Sequence, residues 1–176
     1  MPTPEFILSL REKVGTAPLW LSGCKAVVLR EVPGEGGRPT REVLLARRVD
    51  TGRWSVPAGI IEPGEEPADT AVREVLEECG VHAVPVRLAG VGTTPLVAYP
   101  NGDQTRYLDV VMVLRHQDGQ AHVGDEENLE VAWFPLQPED RTPELSEGHR
   151  RALRWALETE PPAAAARFLA GGAEQA

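Results

Sequence analysis

Cysteine is scarce in this chain. Cys24 and Cys79 are the two in 176 residues, which excludes a disulfide framework and makes a reducing compartment, the cytoplasm, the expected location. Basic charge is in deficit: 18 Lys and Arg face 27 Asp and Glu, for a net charge of -9. An acidic surface disfavours nonspecific binding to nucleic acid or to an anionic membrane. A phosphorylated ligand must therefore be attracted locally, by a metal or by a few arginines. No apolar run approaches the length of a membrane span, and the short one in MPTPEFILSLREK has no charged region ahead of it, so neither a spanning segment nor a secretory leader is expected. Internal repeats are also lacking.

What is present suffices for one sizeable core, since 41% of the 176 residues are hydrophobic. A single domain is expected over residues 1–158. The remainder, 159–176, with Pro161-Pro162, four alanines and a glycine pair, reads as a loosely attached tail. Thr3 and Pro4 read as the N-cap and first position of a short helix through Lys13. Strands are expected at Cys24–Leu29 and Glu42–Ala46, joined by a Gly-rich hairpin loop from Val32 to Thr40, with an irregular edge segment over Trp54–Ile61. Further strands are expected at Val86–Tyr99, broken by Pro95, at Arg106–Arg115 across an Asn101-Gly102 turn, and at Val131–Leu136. Thr142-Pro143 is expected to open a last helix running to Glu158.

Pro63-Gly64 marks a turn, Pro67 suits a first helical turn and Gly80 a C-terminal cap, which predicts a helix over Pro67–Cys79. Ala68, Ala71, Val72, Val75 and Cys79 fall on one stripe and would be buried. Glu74, Glu77 and Glu78 fall on another: at about 100° per residue, Glu77 lies roughly 60° to one side of Glu74 and Glu78 roughly 40° to the other. That acidic face is expected to point away from the core. Three mutually repelling carboxylates ask for a counter-ion, and their hard oxygens suit Mg²⁺ or Mn²⁺. The Glu77-Glu78 pair alone is also what a solvated helix face with i,i+4 ion pairs presents. The wider pattern is more specific.

From Gly59 to Val81 the chain reads GIIEPGEEPADTAVREVLEECGV. Gly59, Glu65, Arg73, Glu74, Glu77, Glu78 and Gly80 stand at the spacing G-x5-E-x7-R-E-U-x-E-E-x-G-U, with Val75 and Val81 as the aliphatic positions U. A chance match is on the order of one in ten million at ordinary residue frequencies. The stretch resembles the Nudix box, the signature of the Nudix hydrolase (MutT-like) family. The resemblance implies an α/β fold: an α/β/α sandwich with a mixed β-sheet, the box forming loop, helix and loop. It implies metal-dependent hydrolysis of a diphosphate linkage in a nucleoside diphosphate joined to a group X, such as ADP-ribose or a nucleotide sugar. The alternatives are a house-cleaning nucleoside triphosphate pyrophosphohydrolase and a ligand-binding regulator without turnover. Many members carry two glycines where this chain has Ala58-Gly59; alanine there also occurs among ADP-ribose hydrolases of the family.

Carried onto this chain, the resemblance implies Glu74, Glu77, Glu78 and the Gly59 carbonyl as ligands of Mg²⁺ or Mn²⁺, Arg73 as the arginine orienting the glutamates, and Glu65 as the loop glutamate. The base that takes a proton from the attacking water comes either from the box, with Glu77 the candidate, or from a later loop, where Glu127 in GDEENLEVAWF is the candidate. For substrate, Arg47 and Arg48 end a strand leading toward the box and could hold phosphate, although as consecutive strand residues they point to opposite faces. Tyr99, Trp54 and Trp20 are candidate stacking partners, although single aromatics near strand ends are more often core or rim residues. The expected partner is a small nucleotide, with neither membrane nor nucleic acid; a homodimer stays open.

Overall fold

The computed structural model describes residues 3–34, 38–99, 101–137, 142–158 and 167–168. Its elements are α1 (Glu5–Val14), β1 (Leu19–Pro33), β2 (Pro39–Arg48), β3 (Trp54–Ser55), β4 (Ala58–Ile60), α2 (Pro67–Cys79), β5 (His82–Thr93), β6 (Val97–Ala98), β7 (Gln104–Asp118), β8 (Asn128–Pro135), α3 (Glu147–Leu157) and β9 (Arg167–Phe168). The sheet is mixed. Its main path runs β3-β2-β1-β7-β5-β9, while β4 pairs with β1, β6 with β7 and β8 with β2. β1 and β7 run parallel over eleven paired positions, from Leu19 opposite Thr105 to Leu29 opposite Arg115.

The period-2 alternation of β1 builds two cores. Cys24, Ala26 and Val28 face α2, where they pack with Ala71, Val75 and Cys79. Val27 faces the other way and packs with Val111 and Val113 of β7 and with Ala152, Trp155 and Ala156 of α3. One helix therefore covers each face of the sheet, as an α/β/α sandwich requires.

α2 spans the residues its sequence predicts. Pro67 occupies the first helical turn, and Gly80 takes φ 65° at the C-terminal cap, where its N–H donates to the Leu76 carbonyl at 2.9 Å. The exposure of its acidic face differs from expectation. Glu74 and Glu78 are buried, at 4% and 3% exposure, because β4 lies over one side and a loop before β8 docks at its end. In that loop the N–H groups of His122 and Gly124 donate to the carbonyls of Cys79 and Glu78, both at 3.0 Å. A side chain at Gly124 would overlap the Glu77 backbone, so glycine is what permits the approach.

Other boundaries also moved. Pro4, not Thr3, is the N-cap of α1. The last helix begins after Ser146; Thr142 instead donates its hydroxyl to the Pro135 carbonyl at 3.0 Å. The strands of the first hairpin continue to Pro33 and from Pro39, so both ends of the expected loop, Val32-Pro33 and Pro39-Thr40, are strand. Long pairing partners carry a strand through residues that local propensity assigns to turns. Of the tail, Arg167–Phe168 pairs in parallel with Gly90 and Val91 of β5; the rest lies outside the described residues.

Candidate active site

Where β4 pairs with β1, Gly59 stands opposite Cys24, and the Glu74 side chain comes up from α2 against the Gly59 backbone. A Cβ at Gly59 would collide with the Glu74 carboxylate. The approach therefore requires glycine here for space rather than for an unusual φ. The next turn of α2 brings Glu78 beneath β4, where its Oε1 accepts from the Ala58 N–H at 3.3 Å.

Arg73 organises the helix face. Its Nε and Nη2 donate to the two oxygens of Glu65 at 2.8 and 2.9 Å, and its Nη1 reaches Glu74 at 2.7 Å and Glu77 at 3.2 Å. Glu65 also accepts from the Thr70 hydroxyl at 2.8 Å. This bidentate, charge-assisted contact holds the Glu65 carboxyl at a pKa of about 2, well below the usual range. The buried pair behaves oppositely. Burial, then the charge of Glu74, pushes Glu78 up to about 8. Burial also raises Glu74 despite its contact with Arg73, and Glu77 and Glu127 add to the effect.

Arg48 stands at the end of β2, where the pairing with β8 shifts register between Arg47 and Arg48. Arg48 pairs with Asp50 at 3.1 Å and with Glu127 at 3.3 Å. The loop behind Glu127 is pinned by Asp125, which accepts from the Glu127 N–H and the Asn128 amide, both at 3.1 Å. Arg47 points elsewhere: its Nε donates to the Gly52 carbonyl at 3.1 Å and its head lies 3.8 Å from Glu130.

These groups meet a cleft of about 770 Å³, ample for a nucleotide joined to a second moiety. Arg48, Gly59, Glu74 and Glu127 line it, as do Tyr99 and Trp54. Its floor is the α3 face of the sheet, formed by Leu21, Gly23 and Lys25 of β1 beside Thr105, Tyr107 and Asp109 of β7. The Tyr99 and Tyr107 hydroxyls share a hydrogen bond of 2.7 Å. Trp54 packs edge-to-face on Phe134 at 4.7 Å. Trp20 lies out on the surface, 60% exposed.

Among the described residues no group of three or more His, Cys, Asp or Glu side chains stands gathered as a metal cluster. One Arg73 nitrogen, Nη1, bridges Glu74 and Glu77, while Arg48 engages Glu127. The donor set still fits a hard divalent cation. It consists of carboxylate oxygens and a backbone carbonyl, and burial leads in raising Glu74 and Glu78, whose charge a bound cation would offset.

The sequence reading did not find a second polar group in the cleft. Lys25 and Asp109, both buried, pair at 2.5 Å, and Arg151 reaches the other Asp109 oxygen at 3.2 Å. A charged residue inside each of the apolar runs CKAVVL and YLDVVMVL was the available signal.

The sandwich and the box on its loop-helix-loop define the class. Residues 26–156 match the family model described as the NUDIX domain, and the chain belongs to the Nudix family. It is similar to YjhB of Bacillus subtilis, provisionally named an ADP-ribose pyrophosphatase, at 34% identity over 125 residues covering 64% of this chain and 58% of the relative. The chain spans about half the length of the first curated relatives it matches, 58%, 46% and 42%. Two solved structures share the fold. One is a UDP-X diphosphatase, with TM-score 0.62, 20% identity and coverage of 93% of this chain and 74% of that one. The other is an ADP-ribose pyrophosphatase of Streptococcus suis, with TM-score 0.57, 20% identity and coverage of 84% and 98%. No described helix is long and apolar enough to cross a membrane.

Proposed function

We propose that the protein hydrolyses the diphosphate linkage of a nucleoside diphosphate joined to a further group X, with Mg²⁺ or Mn²⁺ held by Glu74, Glu77, Glu78 and the Gly59 carbonyl. The observation that carries this reading is the approach of Glu74 to Gly59 at the edge of a nucleotide-sized cleft, with Glu78 buried beside them. Those relatives named for ADP-ribose or UDP-X hydrolysis support the NDP-X class. They do not distinguish among its members.

When bound, the metal would neutralise the diphosphate and make a coordinated water more acidic. The chain's own residues do the rest. Arg73 fixes the rotamers of Glu65, Glu74 and Glu77, so that the ligand set is assembled from a rigid helix rather than from a loop. Arg48 binds a phosphate oxygen of the substrate, for which its guanidinium suits two contacts. Glu127 is the general base: unlike the half-exposed Glu77, it lines the cleft. Its carboxylate is held by Arg48 until a phosphate competes for that cation, and it then accepts the water's proton.

The test is a phosphate-release screen over ADP-ribose, nucleotide sugars, dinucleoside polyphosphates and oxidised dNTPs, with and without Mg²⁺. Metal-dependent cleavage of an NDP-X compound is the expected result. Cleavage confined to nucleoside triphosphates would move the protein to the house-cleaning class, and binding of ADP-ribose without cleavage would make it a sensor.

A further inference from the structure

The first turn of α3 forms a wall of the same cleft, through Ser146, Glu147, Gly148 and His149. The leading amides of a helix have no intrahelical partner, and the first bond across this end is Arg150 N–H to the Ser146 carbonyl at 2.9 Å. Ser146, the N-cap residue, makes no side-chain cap bond. Its hydroxyl is therefore not committed to the helix it precedes. The partial positive charge of the helix end adds to these donors.

A second observation is independent of the helix end. His149 Nδ1 is buried and makes no hydrogen bond among the described residues. A buried polar atom without a partner costs free energy and calls for one. Lys25 and Arg48 are the charged groups that act on this ring. With burial leading, they depress its pKa to about 3, so the imidazole is neutral and Nδ1 can carry a proton to donate. Lys25 and Arg151 share a single carboxylate, Asp109, so the Lys25 ammonium at the cleft floor does not have that carboxylate to itself. Glu147 is the acid of the turn, but its side chain is turned outward to Arg150 and Arg154 at 3.1 and 3.3 Å.

We propose that Ser146, His149, the leading amides of α3 and Lys25 form a second anion subsite, which takes a phosphate or carboxylate carried on a part of the substrate away from the scissile diphosphate. The inference rests on the NDP-X reading and narrows it: the preferred substrate is an NDP-X compound with an additional anionic group. A net charge of -9 works against such a ligand over the surface as a whole, so a preference for it points to a local site.

Binding to the full-length protein is measured by calorimetry in EDTA, where nothing turns over, with two matched pairs. One pair is UDP-glucose and UDP-glucuronate, which differ by a carboxylate. The other is ADP-ribose and ADP-ribose phosphorylated on its adenosine ribose, which differ by a phosphate. The charged member of at least one pair is expected to bind about tenfold more tightly, and the pair that responds identifies the anion. His149→Phe should bring that ratio to about one, and Ser146→Ala should lower it. The His149 imidazole NMR signal of the unaltered protein should move on binding, a readout that does not depend on any variant folding. Equal binding within both pairs, or a preference that survives both substitutions, overturns the subsite. Because binding is read without metal, a chain that cleaves none of these compounds would refute the hydrolase reading while leaving this test intact.

Discussion

Arg48 and Glu127 meet at 3.3 Å, one from the end of β2 and the other from the loop before β8. Burial disfavours the Arg48 charge, yet Asp50 and Glu127 more than offset it, and its pKa is raised. The pair sets a carboxylate and a guanidinium side by side in the cleft.

Replacing Glu127 by Gln keeps its shape and removes its basicity. The turnover number should fall about a hundredfold or more at saturating metal, with KM little changed, since loss of a general base is felt in the transition state. A Glu127→Gln enzyme within about twofold of wild type in kcat would return the role of base to Glu77.

Metal should stabilise the fold. At a hundredfold excess over its dissociation constant, Mg²⁺ should raise the melting temperature by about 5 to 10 °C, and EDTA should reverse the change. A melting curve indifferent to Mg²⁺ and Mn²⁺ would count against a site at Glu74, Glu77 and Glu78.

Glu78→Gln separates catalysis from stability. Its folded pKa, near 8, lies above the unfolded value of about 4.5, so in metal-free protein ionisation of Glu78 is destabilising, increasingly so as pH rises from 4.5 toward 8. At pH 8 in EDTA the variant should therefore melt higher than wild type. With Mg²⁺ present it should lose the metal-induced rise and nearly all activity. Equal melting temperatures in EDTA at pH 8 would show that the Glu78 charge is not strained.

Acid should unfold the protein through two groups of depressed pKa. Glu65, near 2 when folded, contributes stability that is present above about 4.5 and lost as pH falls toward 2. His149, near 3 when folded and 6.5 when free, costs nothing above 6.5; an increasing penalty for keeping it neutral appears as pH falls toward 3. In EDTA this His149 penalty opposes, between pH 6.5 and 4.5, the stability gained as Glu78 takes up its proton, so the wild-type melting temperature should change little there and fall below 4.5. His149→Phe should lack the penalty and gain melting temperature over that interval, and a profile unchanged by it would contradict the depressed pKa.

Gly59→Ala adds one methyl group against the Glu74 carboxylate. Activity and the metal-induced rise in melting temperature should be lost together while circular dichroism remains native. Retained activity would mean that Glu74 can be displaced without consequence.

The box was legible because it is local. Its helix start at Pro67, its stop at Gly80 and the angular clustering of its glutamates follow from residues within one segment. Burial of Glu74 and Glu78 was not, because what covers them comes from β4 and from the loop pinned at Gly124, the latter nearly fifty residues away. The same limit applies to Arg48 and Arg47: strand alternation sends them to opposite sides, but which side holds the cleft depends on β1 and β7. Lys25 and Asp109 lie eighty-four residues apart and become a pair through the parallel register, which nothing local encodes. Thr142-Pro143 has the composition of a helix start and was overruled when Thr142 bonded back to Pro135.

The alternation of β1 has a consequence for how such a protein can change over generations. Cys24 packs toward α2 while Lys25, one residue along, turns to the floor of the cleft. Under the proposed subsite, substitutions at Lys25, Asp109 or His149 would change which compound is bound while the α2 glutamates keep their place. An ancestral hydrolase with this strand could acquire new diets without relearning its chemistry.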